Sequence, residues 1–364
     1  MLKVVLFLLC LCLFAPAYAQ ETTEAPEPER DAPVHLMQVF VQRGDPDRLQ
    51  FIDVQTGEVT SVEVNGERFT LFGRAVMYYD PAVNRVMLAT PDGRTRNHPF
   101  IQPLPSTRRV DWVVSPDGTQ VAWTLTAVQA DGQLVTQTQI AGIDGSNPEE
   151  VLVDDPRPGI RALPVALSAD HTTLYMDYQP DGIGDVTPFR QYAGLFALDL
   201  KSGETTMLPG EPGCFCGAGF GAGLLLRLSL AENLSGFDVM VRTLGSETSK
   251  RIPAVGRANY TQAGGLILSS DSTQAIYALA QVSDFGGPNQ FVSTVFVHVD
   301  LIEGVQTVLT QPISNFIEPL MWTEDDSAVI VTSGDPFVNG TWKIDLESGR
   351  VNRLANANYL GMIR

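Results

Sequence analysis

From about residue 34 onward the sequence alternates short apolar runs with tight polar turns, and no long stretch keeps a helical period. Ser115–Trp123, SPDGTQVAW, shows the unit: a compact Ser-Pro-Asp-Gly turn followed by a strand-forming run. Period-two alternation marks half-buried strands, and Asp- or Gly-bearing turns between such runs mark hairpins. The same residue order returns in SADHTTLYM (Ser168–Met176), SSDSTQAIY (Ser269–Tyr277) and TEDDSAVIV (Thr323–Val331). The copies lie 53, 101 and 54 residues apart, so the middle step spans two periods. A degenerate copy is expected near residue 219, where GFGAGLLLR places a Gly-rich turn before a strand.

A second turn class alternates with the first. Strand–turn–strand segments occur at 51–64, 87–100, 140–153, 196–209, 239–252, 297–310 and 342–355, each with an Asp- or Gly-bearing turn between apolar alternations. Two hairpin classes alternating at 36 to 58 residues define a four-stranded antiparallel unit, repeated. That is the pattern of a β-propeller blade, a twisted sheet that buries its faces only against neighbouring blades. The hairpins count seven blades, with six or eight left open because insertions blur the period. The N-terminal unit lacks a preceding inner strand, and the C-terminal ANYLGMIR has no hairpin of its own. Asn358–Ile363 is therefore predicted to supply the inner strand of the N-terminal blade, closing the ring without an open sheet edge.

Ser115-Pro116-Asp117-Gly118, with Thr119-Gln120-Val121-Ala122-Trp123 after it, resembles the repeats of TolB-like, WD40-like propellers (PD40 repeats) of bacterial envelopes. The other copies depart from the pattern, with His171, Ser272 and Asp326 where the turn glycine stands. The resemblance implies a propeller that binds partner proteins in the periplasm. The sequence shows no pattern for the separate N-terminal α/β domain of TolB, and none is expected.

The first 19 residues carry one early cation, Lys3, an apolar run from Val4 to Phe14, and the small-x-small sequence Ala17-Tyr18-Ala19. This is the pattern of a cleaved signal peptide; the run falls well short of the ~20 residues of a spanning helix. Residues 20–33, QETTEAPEPERDAP, lack a large apolar residue and read as a flexible linker before a propeller domain at 34–364. The mature chain is thus expected to be extracytoplasmic, periplasmic or secreted, and not membrane-spanning. The formal net charge of the whole chain is −18. Losing the leader removes a cation and no anion. Such acidity disfavours nucleic acid and points to a protein or peptide partner, a basic one where charge complementarity decides, with the chain itself expected to be a monomer.

Local chemistry is sparse. Two of the four cysteines lie in the leader, leaving Cys214 and Cys216 in GEPGCFCGAGFGAG. They read as a local disulfide or a pair of buried thiols; a redox couple or soft-metal site is the functional alternative. Gly217, Gly219, Gly221 and Gly223 miss the nucleotide-loop spacing and fit an inner strand near a crowded axis. Asp177, Asp181 and Asp185, interleaved with Gly182 and Gly184, form a candidate Ca²⁺ loop without EF-hand spacing, or else an ordinary solvated loop. No other cofactor is expected. The four histidines are scattered, and neither H-E-x-x-H nor G-x-S-x-G occurs. Trp112, Trp123, Trp322 and Trp342 fall on predicted strands and read as packing between blades.

Three functions fit. The first is a non-catalytic protein- or peptide-binding platform. The second is a propeller enzyme, a metal-assisted hydrolase or lactonase with acidic groups and a histidine in the central channel. The third is a carbohydrate-binding module with an exposed aromatic.

Overall fold

A computed structural model describes residues 36–364 apart from 183–188, 210–216, 233, 235, 247, 285–286 and 335–337. The leader, the linker, Asp185, Cys214 and Cys216 lie outside the described residues. No helix among those described is long and apolar enough to cross a membrane.

The described chain is all-β: 28 strands, β1 (Met37–Gln42) to β28 (Asn358–Ile363), in seven four-stranded sheets. Each sheet is antiparallel and each is one blade. Blade 1 has the order β28-β1-β2-β3, and blades 2 to 7 take consecutive sets of four strands. The seven hairpins read from sequence form the outer pair of each blade. The expected degenerate copy is the turn between β16 (Ala218–Gly221) and β17 (Leu224–Leu230). The C-terminal strand pairs with β1 over Met37↔Ile363 to Val41↔Asn358, so the ring closes as predicted.

First strands of neighbouring blades touch at four of the seven junctions, as β8 (Thr107–Val114) does β12 (Ile160–Leu167), and so line the centre. There β16 needs its glycines: a Cβ on Gly219 would stand 2.5 Å from the Leu266 carbonyl oxygen. The core is a set of apolar layers between blades. Leu228, Tyr277 and Val297 fill one. Met77, Trp112 and Trp123 fill another, and Phe296, Trp322 and Trp342 a third. The closing seam between blades 7 and 1 is polar instead. Arg43 N–H donates to Asn339 Oδ1 at 2.6 Å, and Asn339 Nδ2 returns a bond to Arg43 O at 2.9 Å. Asn358 and Thr341 hold the neighbouring backbone in the same way.

The inner strands are irregular. Their pairing with the second strand shifts register in six of the seven blades, only β16–β17 remaining regular. A bulge adds one unpaired residue, bends the strand and re-aims its side chains.

Candidate functional site: an arginine-lined mouth on the axis

Each inner strand has a turn end and a mouth end. At the turn end sit the Ser/Thr-x-Asp repeats, and they satisfy themselves. Ser115 Oγ donates to Asp117 Oδ1 at 2.6 Å and accepts the Gln120 N–H at 2.9 Å, while Thr119 Oγ1 donates to Asp117 at 2.8 Å. Ser168–Asp170, Ser269–Asp271 and Thr323–Asp325 repeat the pattern. These donors hold the carboxylates below their ordinary range, Asp325 at about 2. The position after the polar turn residue is left-handed in all four, with φ of 71° at Gly118, 58° at His171, 56° at Ser272 and 52° at Asp326. Two of the replacements have a use. His171 reaches back to Asp117 (Nε2 to Oδ2, 3.0 Å) and Gln120 of the preceding blade, and Asp326 accepts from Ser270 of the preceding blade.

The mouth end has no such repeat. A cavity of about 670 Å³ opens there, lined from blades 2, 3, 4 and 7, which places it on the axis. Its charged lining is Arg68, Arg109, Arg161 and Arg190 against Asp111 and Glu318. Arg68 and Arg161 both pair with Asp111, Arg68 at 2.7 Å. Arg108 (2.7 Å), Arg109 (2.9 Å) and, more loosely, Arg161 (3.6 Å) converge on Asp181. Arg161 is 6% exposed, and its Nε has no hydrogen-bond partner. Burial pulls its pKa down, against the pull of Asp111.

Behind this tier lies a second. Asp177, fully buried, accepts the N–H groups of Gly194 (2.7 Å) and Ala193 (3.1 Å). Desolvation raises its pKa to about 6, opposed by those bonds and by Arg227 and Arg190. Glu318 sits at the mouth of β24 (Ile317–Trp322); burial raises it too, opposed by Arg190.

Of the candidate Ca²⁺ loop, then, Asp177 is engaged by backbone donors and Asp181 by arginines. Among the described residues no group of three His, Cys, Asp or Glu side chains is placed to hold a metal. The mouth's lining of guanidinium groups, donors without lone pairs, does not fit a cation. His98 is a core residue: fully buried, its Nδ1 accepts the Ile101 N–H at 3.0 Å, and desolvation lowers its pKa to about 4. The four tryptophans are buried in the layers between blades, as predicted. The arginines of the mouth were not singled out from sequence. Arg68, Arg109 and Arg161 each stand near the start of an inner strand, a shared position that blade alignment exposes.

No protein-family model matches the chain, and no curated protein does at a significant level. Solved structures do match in fold. A prolyl endopeptidase aligns with a TM-score of 0.61 and 11% identity over 89% of this chain and 50% of its own. This chain thus spans about half the length of that enzyme. Oligogalacturonate lyase from Vibrio parahaemolyticus aligns with a TM-score of 0.52 and 11% identity, over 86% of this chain and 88% of its own. TolB from Acinetobacter baumannii is also similar, with a TM-score of 0.46 and 14% identity over 89% and 81% of the two chains. The chain is a seven-bladed β-propeller.

Proposed function

We propose that the protein is an exported, non-catalytic propeller that holds a segment of a protein partner in its axial mouth. The observation that carries this reading is the cavity of about 670 Å³ with arginines converging from three blades. Its volume is that of a ligand site. Guanidinium groups stay protonated and orient a bound group; they neither abstract protons nor attack. A fixed fork of donors on rigid strands suits recognition.

Glu318 supports a second reading, a propeller enzyme. A carboxyl group raised by burial beside anion-binding arginines suits proton transfer to or from an anionic substrate. The metal-assisted version of that reading is not favoured by a cationic lining.

The test is capture of a partner from an envelope extract of the source by the full chain and by Gly334→Trp. Gly334 lines the mouth, and a Cβ there meets only Glu318, at an ordinary 3.6 Å. An indole at this position fills the cavity from an exposed site. A partner held by the wild type and lost by the variant, at an unchanged melting temperature, supports the reading. Equal capture by both removes the mouth from it.

A further inference from the structure

Resting on that reading of the mouth as a binding site, we infer that the mouth anchors a carboxylate-rich stretch of polypeptide. The first reason is charge. Arg68, Arg108, Arg109 and Arg161 share two carboxylates, Asp111 and Asp181, in a chain whose overall charge is −18. A partner bringing carboxylates balances this local excess, and a basic partner, which the net charge alone suggested, does not fit here. The second is Arg161, buried at the cavity wall, whose Nε stands 3.6 Å from Asp181 Oδ1 without a hydrogen bond, so that its donor edge is only loosely engaged. A planar guanidinium matches a carboxylate edge on, through two parallel N–H donors.

The third reason is backbone strain at Arg68. In blade 6 the bulge between Gly264 and Ile267 places Gly265 at φ 64°, where glycine is the unstrained choice. The matching bulge of blade 2, between Glu67 and Thr70, places Arg68 at φ 57°. An arginine is held in a glycine conformation with its guanidinium on Asp111 at the mouth. Strain of this kind persists where the surrounding structure enforces it, and it clusters at functional sites.

The apolar lining favours polypeptide over acidic sugar. Sugar rings stack on exposed aromatic faces, but Trp112 and Phe189 are buried, and the half-buried Phe69 has its ring taken by Tyr78, stacked at 5.7 Å, and by Arg43 at 5.3 Å. Glutamate side chains carry carboxylates on flexible arms that can reach the recessed Arg161.

The experiment is calorimetric titration of the full chain with blocked tetraglutamate, tetraglutamine and tetragalacturonate, at low and high salt. Tetraglutamate should bind, tetraglutamine should not, and salt should weaken the binding. Arg68→Gly should weaken it about tenfold or more, the loss expected for one charge-assisted hydrogen bond. This variant suits the backbone and should fold. Arg161→Lys, which keeps the charge and loses the fork, should weaken it as well. Tetraglutamate binding no better than tetraglutamine overturns the inference, as does binding indifferent to Arg68→Gly. Tetragalacturonate binding without tetraglutamate binding also overturns it and gives the mouth to an acidic sugar. If partner capture is still lost in Gly334→Trp while tetraglutamate fails, the site stands and only its anionic anchoring falls.

Discussion

At the turn end of four inner strands a hydroxyl, an Asp carboxylate and the backbone close on one another within a few residues. At the mouth end, Arg68 and Arg161 come from different blades to share the carboxylate of Asp111, and three arginines meet at Asp181. The turn end solves its hydrogen bonding locally, so it can be copied blade after blade. The mouth end solves it only in the assembled ring, where arginines of three blades meet carboxylates of their neighbours. Repetition marks what the fold requires; the departures from it mark where a ligand can be recognised.

The sharpest way to break the comparison is to remove one member from each end. Arg161→Leu takes one of two guanidinium partners from Asp111 and the loosest of three from Asp181, and should cost about 2–3 kcal/mol, the worth of a buried charge-assisted bond, read from urea unfolding. Asp117→Ala, at an exposed turn whose bonds water can replace, should cost clearly less. Equal losses would deny that the two ends are built differently.

The ends should also respond to acid with opposite signs. Asp177, raised to about 6 in the folded state, takes up a proton more readily when folded. Its ionisation is a cost of about 2–3 kcal/mol at neutral pH that is relieved as pH falls through 6 toward 4. Asp325, held at about 2, contributes stability above its unfolded value, and that contribution is lost as pH falls from about 4 through 2. Melting curves against pH for Asp177→Asn and Asp325→Asn, each less wild type, isolate the two windows. His98, lowered to about 4, contributes stability that is lost between about 6.5 and 4, against the Asp177 trend. It is removed by the same subtraction.

The smallest effects lie within the turns. Ser272→Gly relieves a left-handed φ with no contact to the neighbouring blade's turn at stake, and should raise stability by about 0.5–1 kcal/mol. His171→Gly and Asp326→Gly relieve the same strain but give up their bonds to Asp117 and Ser270, so they should gain less. Melting temperatures of the three variants settle the order.

The blades, their hairpins, the turn at Gly221–Gly223 and the closing strand Asn358–Ile363 were legible because each rests on local alternation and turn chemistry. The mouth was not. Arg68, Arg109 and Arg161 are dozens of residues apart and meet only after ring closure, and the bulges that aim inner-strand side chains leave no periodic trace. Net charge pointed the other way, since the carboxylates that dominate it are spread over exposed turns. Asp177 and Asp181 looked like ligands in a short Gly-rich loop. The carboxylates are engaged instead by Gly194 and by arginines of a neighbouring blade, partners invisible at that range.

The most direct test of the mouth as the recognition face is hydrogen exchange of the full chain with and without its captured partner. The account predicts slowed exchange at 67–70, 107–112 and 160–163, with 115–119, 168–172 and 269–273 unchanged. Protection at the Ser/Thr-x-Asp turns, with the inner-strand starts unaffected, would contradict it.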